Sequence, residues 1–401
     1  MLLLGRPPES EAVVAHYVAL GLERHAFLRV LLGSREFTER HRKRLALNDL
    51  NTQAEPWLAS GNAVRVLLFG AYGNGNLGDT VQAEALAWLL RQVLPTSPLS
   101  FAATSWERQA PFRLPGGAVL PGDVLLRPDR LATGQEGAAR LVAIGGGGLL
   151  GAPHFPLHEA AWARWFVARG IPYAFLGVGG AAAALREPEC AEAYRTLLTG
   201  AVFVGGRDDA TLQAIRDIRP DAAWFPDPVL AWALGHAEPS AAPRPIDLLL
   251  IPRFPNSPAD AAGNRAMLAR RAAAVACERI VVAALEPQLD AQALHGEAVE
   301  YVTDWEALMA LCRQARRVVT LRLHGAVAGL AAGCVVHGLV QPKIAGLMHD
   351  LGVGRWFGSD WWSEADDAGF HDALRPGLVD FGRRTQAAMA FAGNLIAPAI
   401  A

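Results

Sequence analysis

The sequence predicts a parallel, doubly wound α/β fold built in two successive halves. Three observations carry that expectation. Short apolar runs recur along the chain, and several of them leave directly into glycine. Helix-length stretches with one apolar face separate these runs. The rhythm stops at the proline-rich stretch 236–250, HAEPSAAPRPIDLLL, and then starts again.

Taken in order, residues 1–45 form a helical appendage: apolar residues at helical spacing, interrupted near Gly21 and Gly33 and ending in a basic stretch. Residues 46–63 read as a polar linker. The first half, 64–240, opens with VRVLLFG (64–70) as a buried strand. A helix over 79–94 follows, with Leu86, Leu89, Leu90 and Val93 on one face. PLSFAAT (98–104), LVAIGGGG (141–148), IPYAFLGVGG (171–180) and AVFVGGRDD (201–209) continue the strands. The second half, 241–401, repeats the pattern with IDLLLI (246–251), RIVVAAL (279–285), RVVTL (317–321) and VVHGLV (335–340). FGRRTQAAMAFAGNLIAPAI then reads as a closing helix. Two such halves facing each other put the cleft at the carboxyl ends of both sets of strands.

Composition narrows the class of protein. The 401 residues carry 37 Lys+Arg against 39 Asp+Glu, so nothing marks a general polyanion binder and no nucleic-acid partner is expected. With 52% hydrophobic and 19% charged residues the chain is a packed globule. Cys190, Cys277, Cys312 and Cys334 are far apart with no CxxC pair, which fits buried free thiols in a reducing compartment. The opening MLLLGRPPES is too short for a signal peptide, and no apolar run reaches membrane-spanning length. The expected location is cytoplasmic, compatible with peripheral contact at the inner face of the membrane.

The loop AYGNGNLGDT (71–80) contains Gly73-x-Gly75-x-x-Gly78, the spacing of a dinucleotide fingerprint. Asp79 stands where a pyrophosphate would lie, and PLSFAAT ends without the acid that would hold a ribose. Read as an N-cap with Gln82 three residues on, Asp79 would satisfy the helix-start amides and occupy the anion site. A nicotinamide cofactor is therefore not expected. Asn76, Gly75, Gly78 and, in the next glycine-rich exit, Gly147 become candidates for a ligand-facing loop.

A second concentration of chemistry is VVTLRLHGAVAGLAAG (318–333). On an extended backbone Arg322 and His324 share a face, a cation beside a titratable ring at a strand exit. Such a pair suits a phosphate or carboxylate ligand with proton transfer. Arg207 and Lys343 lie at two further strand exits. Asp227, between prolines in WFPDPVL, reads as a rigid turn rather than a catalyst. His154 and His158 have Pro156 between them and no third ligand, so no metal site is expected. The tryptophans of SDWWSEADD (359–367) suit either stacking on a sugar ring or packing.

In this order, GAYGNGNLGDTVQAEAL, LVAIGGGGLLG, VGGRDDATLQAI, FPDPVLAW and TLRLHGAVAGLAAGCVVHGLVQPKIAGLMHDLGV resemble the polysaccharide pyruvyl transferase family, over about 64–352. The start LLGRPP with LLGSREF further on resembles a helical element, of the LGR…SxEF type, appended to some bacterial surface-polysaccharide enzymes. The resemblance implies two Rossmann-like domains facing a cleft, of glycosyltransferase-B type. It implies transfer of pyruvate from phosphoenolpyruvate onto two hydroxyls of one sugar as a cyclic ketal. It maps donor binding onto Arg207, Arg322, His324 and Lys343, with Asp79 at the family's acidic position. His324 then serves as proton donor and Asp79 as base toward the sugar hydroxyl, with no cofactor beyond phosphoenolpyruvate as co-substrate. The partner is a saccharide acceptor, lipid-linked or soluble, in exopolysaccharide or cell-envelope synthesis. One departure is GAAAALREPEC (180–190), where the family pattern leads one to expect a more polar loop. Two other readings stay open: a nucleotide-sugar glycosyltransferase of the same architecture, and an inactive carbohydrate-binding relative.

Overall fold

The computed structural model describes residues 61–73, 76–104, 114–120, 139–150, 167, 168, 170–180, 185, 188–237, 243–253, 258–273, 277–286, 290, 299–302, 304–358 and 364–401. All of them belong to one compact unit, Pro56–Ala401. The helical appendage 1–45, most of the linker, Gly75, His154, His158, Trp361 and Trp362 lie outside the described residues.

The first half runs β1 (Val64–Phe69), α1 (Leu77–Val93), β2 (Leu99–Thr104), β3 (Gly117–Leu120), β4 (Leu141–Gly145) and β5 (Tyr173–Val178). It continues with α2 (Pro188–Gly200), β6 (Phe203–Gly206), α3 (Asp209–Arg216), β7 (Ala223–Trp224) and α4 (Pro228–Gly235). The second half runs β8 (Ile246–Ile251), α5 (Pro258–Ala273), β9 (Ile280–Ala284), β10 (Val299–Tyr301), α6 (Trp305–Gln314) and β11 (Ala315–Thr320). It ends with α7 (Leu323–Ala331), β12 (Val335–Gly338), α8 (Pro342–Asp350) and α9 (Glu364–Ile400).

Seven parallel strands order as β3-β2-β1-β4-β5-β6-β7 and five as β10-β9-β8-β11-β12. Each half therefore winds outward from its first strand, returns past it and winds the other way. The reversal falls between β1 and β4 in one sheet and between β8 and β11 in the other. These are the switch points where loops at the strands' carboxyl ends diverge and leave room for a ligand. β4 and β5 are buried along their whole length, so they read as continuous apolar runs rather than alternating ones. The edge strands β3, β7 and β10 have four, two and three residues, too few for a periodic signal.

Two cores are joined across the molecule. Leu68, Leu86, Leu89, Leu90 and Leu176 pack in the first sheet's core. Leu249, Ile251, Val318, Val327 and Val336 pack in the second's, together with Leu77 and Val81 of α1 and Val229, Leu230 and Trp232 of α4. Trp232 and Trp305 meet across that seam with ring centroids 5.6 Å apart. Burial of each such large side chain contributes about 1.5–3 kcal/mol. The closing helix starts earlier than its sequence pattern suggests: α9 has 37 residues, a span of about 55 Å. Phe370 and Leu374 anchor its start in the second core, while Ala392, Ile396 and Ile400 pack its end in the first. Cys312 and Cys334 are buried free thiols and Cys277 is half-buried.

Candidate active site

The glycine loop after β1 delivers α1 to the switch point, and its helix start differs from the sequence expectation. The N-cap is Asn76, not Asp79: the Gly78 amide donates to the Asn76 Oδ1 at 2.9 Å. The Thr80 amide donates to the Asn76 carbonyl at 3.1 Å, and the Leu77 amide to the Leu285 carbonyl of the second half, also at 3.1 Å. An asparagine just outside the helix reaches amides that a first-turn residue cannot. Asp79 is thereby left in the first turn as a carboxylate that is not the cap. The anion site of the helix is used by the protein itself, though not by the residue the sequence suggested. Gln82, read as the capping-box partner, turns to His324 instead.

The RLHG segment also departs from expectation. β11 ends at Thr320, whose Oγ1 accepts from the Arg322 amide and donates to the Arg322 carbonyl, both at 2.9 Å. Arg322 keeps an extended backbone, φ −119° and ψ 133°, as the N-cap of α7, and His324 falls in the first turn of that helix. The two side chains do not share a strand face. Arg322 donates from Nε to the Pro252 carbonyl at 3.0 Å and from Nη2 to both Asp290 oxygens at 2.8 and 3.0 Å. Its Nη2 also pairs with Glu286 at 3.0 Å. Nη1 is the guanidinium nitrogen with no such bond among the described residues.

His324 crosses to the first half. Its ring packs against Gly78 so closely that a Cβ there would overlap Nδ1. Its Nε2 lies 3.3 Å from the Gln82 Nε2. Gly146, at φ +71°, leaves room for the Gln82 amide, and Gly147, at φ +76°, borders Gln82 and Asp79. The β5 exit contributes Gly179, whose missing side chain makes way for the Arg207 guanidinium. Arg207 Nη1 donates to Asp227 Oδ2 at 2.8 Å. Asp227 Oδ1 at the same time caps α4, accepting from the Val229 and Leu230 amides at 3.0 and 3.2 Å. The sequence reading of Asp227 as a rigid turn thus holds only half its role. A proline-flanked aspartate at a helix start is the N-cap signature, but nothing local announces its distant arginine.

Charge follows from this crowding. Burial lowers the His324 pKa to about 4; Asp227 and Asp79 oppose the shift and Lys343 and Arg207 add to it. Burial alone would raise the Asp227 carboxyl, but Arg207, His324 and the Leu230 amide outweigh it and hold it below the ordinary range. Lys343, at the start of α8, keeps solvent contact yet is hemmed in by protein. Desolvation, with Arg207 and Arg253 nearby, lowers its pKa against the pull of Asp79 and Asp227. The residue just before that helix is strained: Val340 has φ +65°, and the Gln341 amide donates to the Leu339 carbonyl at 2.7 Å across it.

The structure therefore gathers Asp79, Gly78, Gly147, Arg207, His324 and Lys343 from both halves, with Gln82, Asp227 and Arg253 added. Arg322 is set at the edge of this group by its two carboxylates, and Asn76 acts as the helix cap. Arg207, Asp227 and Lys343 line a cavity of about 40 Å³, room for a water or two. A larger cavity of about 640 Å³ lies elsewhere, between apolar side chains such as Trp88, Leu234 and Met389. None of Asp79, Arg207, His324 or Lys343 lines it, so volume does not mark the chemistry here. Among the described residues no three His, Cys, Asp or Glu side chains are grouped to hold a metal ion. Among them, too, no helix is long and apolar enough to cross a membrane.

Two parallel sheets wound in this order make a glycosyltransferase-B-like fold. The UDP-GlcNAc 2-epimerase of Neisseria meningitidis, in a structure bound to UDP-GlcNAc, superposes with a TM-score of 0.51 at 10% identity, over 83% of this chain and 98% of that one. The glycosyltransferase SnogD of Streptomyces nogalater is 19% identical, with a TM-score of 0.45 over 84% of this chain and 99% of that one. No curated protein sequence matches the chain significantly. The family model for polysaccharide pyruvyl transferase matches residues 76–341. The chain belongs to the polysaccharide pyruvyl transferase family.

Proposed function

We propose that the protein transfers the pyruvyl group of phosphoenolpyruvate onto two hydroxyls of one sugar, in a surface polysaccharide or its precursor. What supports this reading is one observation: His324 is brought from the second half into the cation-and-carboxylate cluster of the first, within a member of this family. Phosphoenolpyruvate carries a phosphate and a carboxylate, and fixed arginines bind both groups well. Lys343, Arg207 and the Arg322 Nη1 take these anions, with Arg322 aimed by Asp290 and Glu286.

His324 delivers a proton to the methylene carbon, which becomes a methyl group and leaves C2 oxocarbenium-like. Asp79 takes the proton of the first sugar hydroxyl as its oxygen bonds to C2. The C2–O bond to phosphate then breaks. The neighbouring hydroxyl closes the ring on C2, and its proton leaves with inorganic phosphate. Return of the Asp79 proton to His324 closes the cycle, so one hydroxyl proton ends on carbon and the other on phosphate, and the sum is ketal plus phosphate. Each proton transfer of this kind is worth about 10²–10⁴-fold.

The test is phosphate release from phosphoenolpyruvate with a panel of saccharide acceptors, soluble and lipid-linked, beside binding of the donor alone. Acceptor-dependent release that disappears in His324→Gln supports the reading. Binding of uridine or guanosine sugars with no response to phosphoenolpyruvate would transfer the assignment to a nucleotide-sugar glycosyltransferase. The acceptor, the cytoplasmic location at the membrane's inner face and the place in cell-envelope synthesis belong to the same proposal.

A further inference from the structure

We propose that Gln82 is a positioning residue that sets the protonation of His324: its amide NH₂ donates to Nε2 and holds the ring's single proton on Nδ1. The two nitrogens are 3.3 Å apart, and an amide nitrogen can only donate. Nε2 must then accept, and the remaining proton sits on Nδ1, the atom packed against Gly78. Gln82 is 1% exposed, so its amide has no bulk water to turn to. Gly146 at φ +71° gives it a fitted berth, since a Cβ there would overlap the Gln82 Oε1. A glycine in the first turn of α1 and another in the loop after β4 thus make room for one amide–imidazole contact, which is more construction than core packing requires.

The contact also crosses the molecule. Gln82 belongs to the first half and His324 to the second, so the tautomer is set only while the two halves are apposed. Other charged groups reach the ring from every element packed on it: Asp79 of α1, Asp227 at the start of α4, Arg207 after β6 and Lys343 of α8. They change how readily the ring charges. Full protonation places a second N–H at Nε2, facing the amide donor. The Gln82 side chain must then turn over and present Oε1. It thereby opposes charging of the ring before a substrate arrives.

This assignment rests on His324 as the reacting group proposed above, but its test does not require substrate. Nitrogen NMR of the full chain with labelled histidine, the His324 signal located by its loss in His324→Asn, reads the tautomer directly. The expected result is a proton on Nδ1 and a bare Nε2 in the wild type. In Gln82→Glu, whose carboxylate accepts, the proton moves to Nε2 and the ring titrates at higher pH. Gln82→Met keeps the shape without the hydrogen bond, and melting curves report whether each variant is folded. A wild-type proton on Nε2, or a tautomer and titration unchanged in folded Gln82→Met, would overturn the proposal. In turnover, Gln82→Met lowers kcat by roughly 10²-fold or more, the range of one proton transfer, with the donor KM little changed. Absence of any turnover in the wild type would count against the pyruvyl transfer reading while leaving the tautomer result standing.

Discussion

Binding of the donor should draw a proton into the protein, and the structure sets the scale. With a pKa of about 4, His324 is almost wholly neutral at pH 7. Charging it there costs about 4 kcal/mol, at 1.36 kcal/mol per pH unit. One negative charge about 4 Å away, at an effective dielectric of about 20, returns roughly 4 kcal/mol. A phosphate or carboxylate set beside the ring therefore lifts its pKa by roughly three units, to the neighbourhood of 7. Calorimetry in buffers of different ionisation enthalpy measures the linked proton. We expect uptake approaching one proton per donor bound near pH 6, falling off as pH rises above 8. His324→Gln should bind with no such uptake. Donor binding by the wild type with no linked proton between pH 5 and 7 would refute the placement of the anion beside His324.

Four further expectations follow from particular contacts. Gly78→Ala forces a Cβ into the His324 ring, so turnover collapses and stability drops by about 1–3 kcal/mol, measured by denaturant unfolding. Arg322→Ala removes the cation facing the buried Asp290 carboxylate and should cost about 3–5 kcal/mol of stability, whereas Lys343→Ala should weaken donor binding with little change in melting temperature. Equal stability of those two variants would mean that the Arg322 carboxylate contacts are not built as described. Acid lowers stability through His324: its folded pKa lies below the unfolded 6.5, so the unfolded chain binds more protons between pH 6.5 and about 4. The loss across that window is about 3 kcal/mol and should be missing from the unfolding curves of His324→Gln. Finally, Val340 is half-exposed at φ +65°, so Val340→Gly relieves backbone strain and should raise stability by up to about 1 kcal/mol, read by thermal unfolding.

Much of the architecture was legible because it is a local property of the chain. Buried parallel strands must be apolar throughout and must exit into tight turns, and β1, β4, β5, β8 and β11 carry that signature in five or six residues each. The apolar face of α1 is likewise written in its spacing, and Leu86, Leu89, Leu90 and Val93 are all buried. The edge strands β3, β7 and β10 left no trace, whereas the four-residue β6 and β12 were legible because their apolar runs are buried along their whole length. The start of α1 was placed two residues late, at 79 rather than Leu77. At α1 the competing N-cap candidates, Asn76 and Asp79, differ only in which side chain reaches the amides, and at α7 the strand was read through His324 although the helix begins at Leu323.

The site divides in the same way. Residue types and their positions at strand exits were enough to single out Asp79, Arg207, His324 and Lys343, since loops at the carboxyl ends of parallel strands converge on the switch points. Direction was not in the sequence. Whether Arg322 faces His324 or Asp290 depends on one hydroxyl turn at Thr320 and on carboxylates more than thirty residues away. The partners of His324 come from residues 78, 82 and 227, and those of Arg207 from residues 179 and 227. Spacing along a chain fixes which residues share an element, because local geometry is periodic. Which residues share a site is decided by two separately wound sheets meeting, and no local period encodes that meeting.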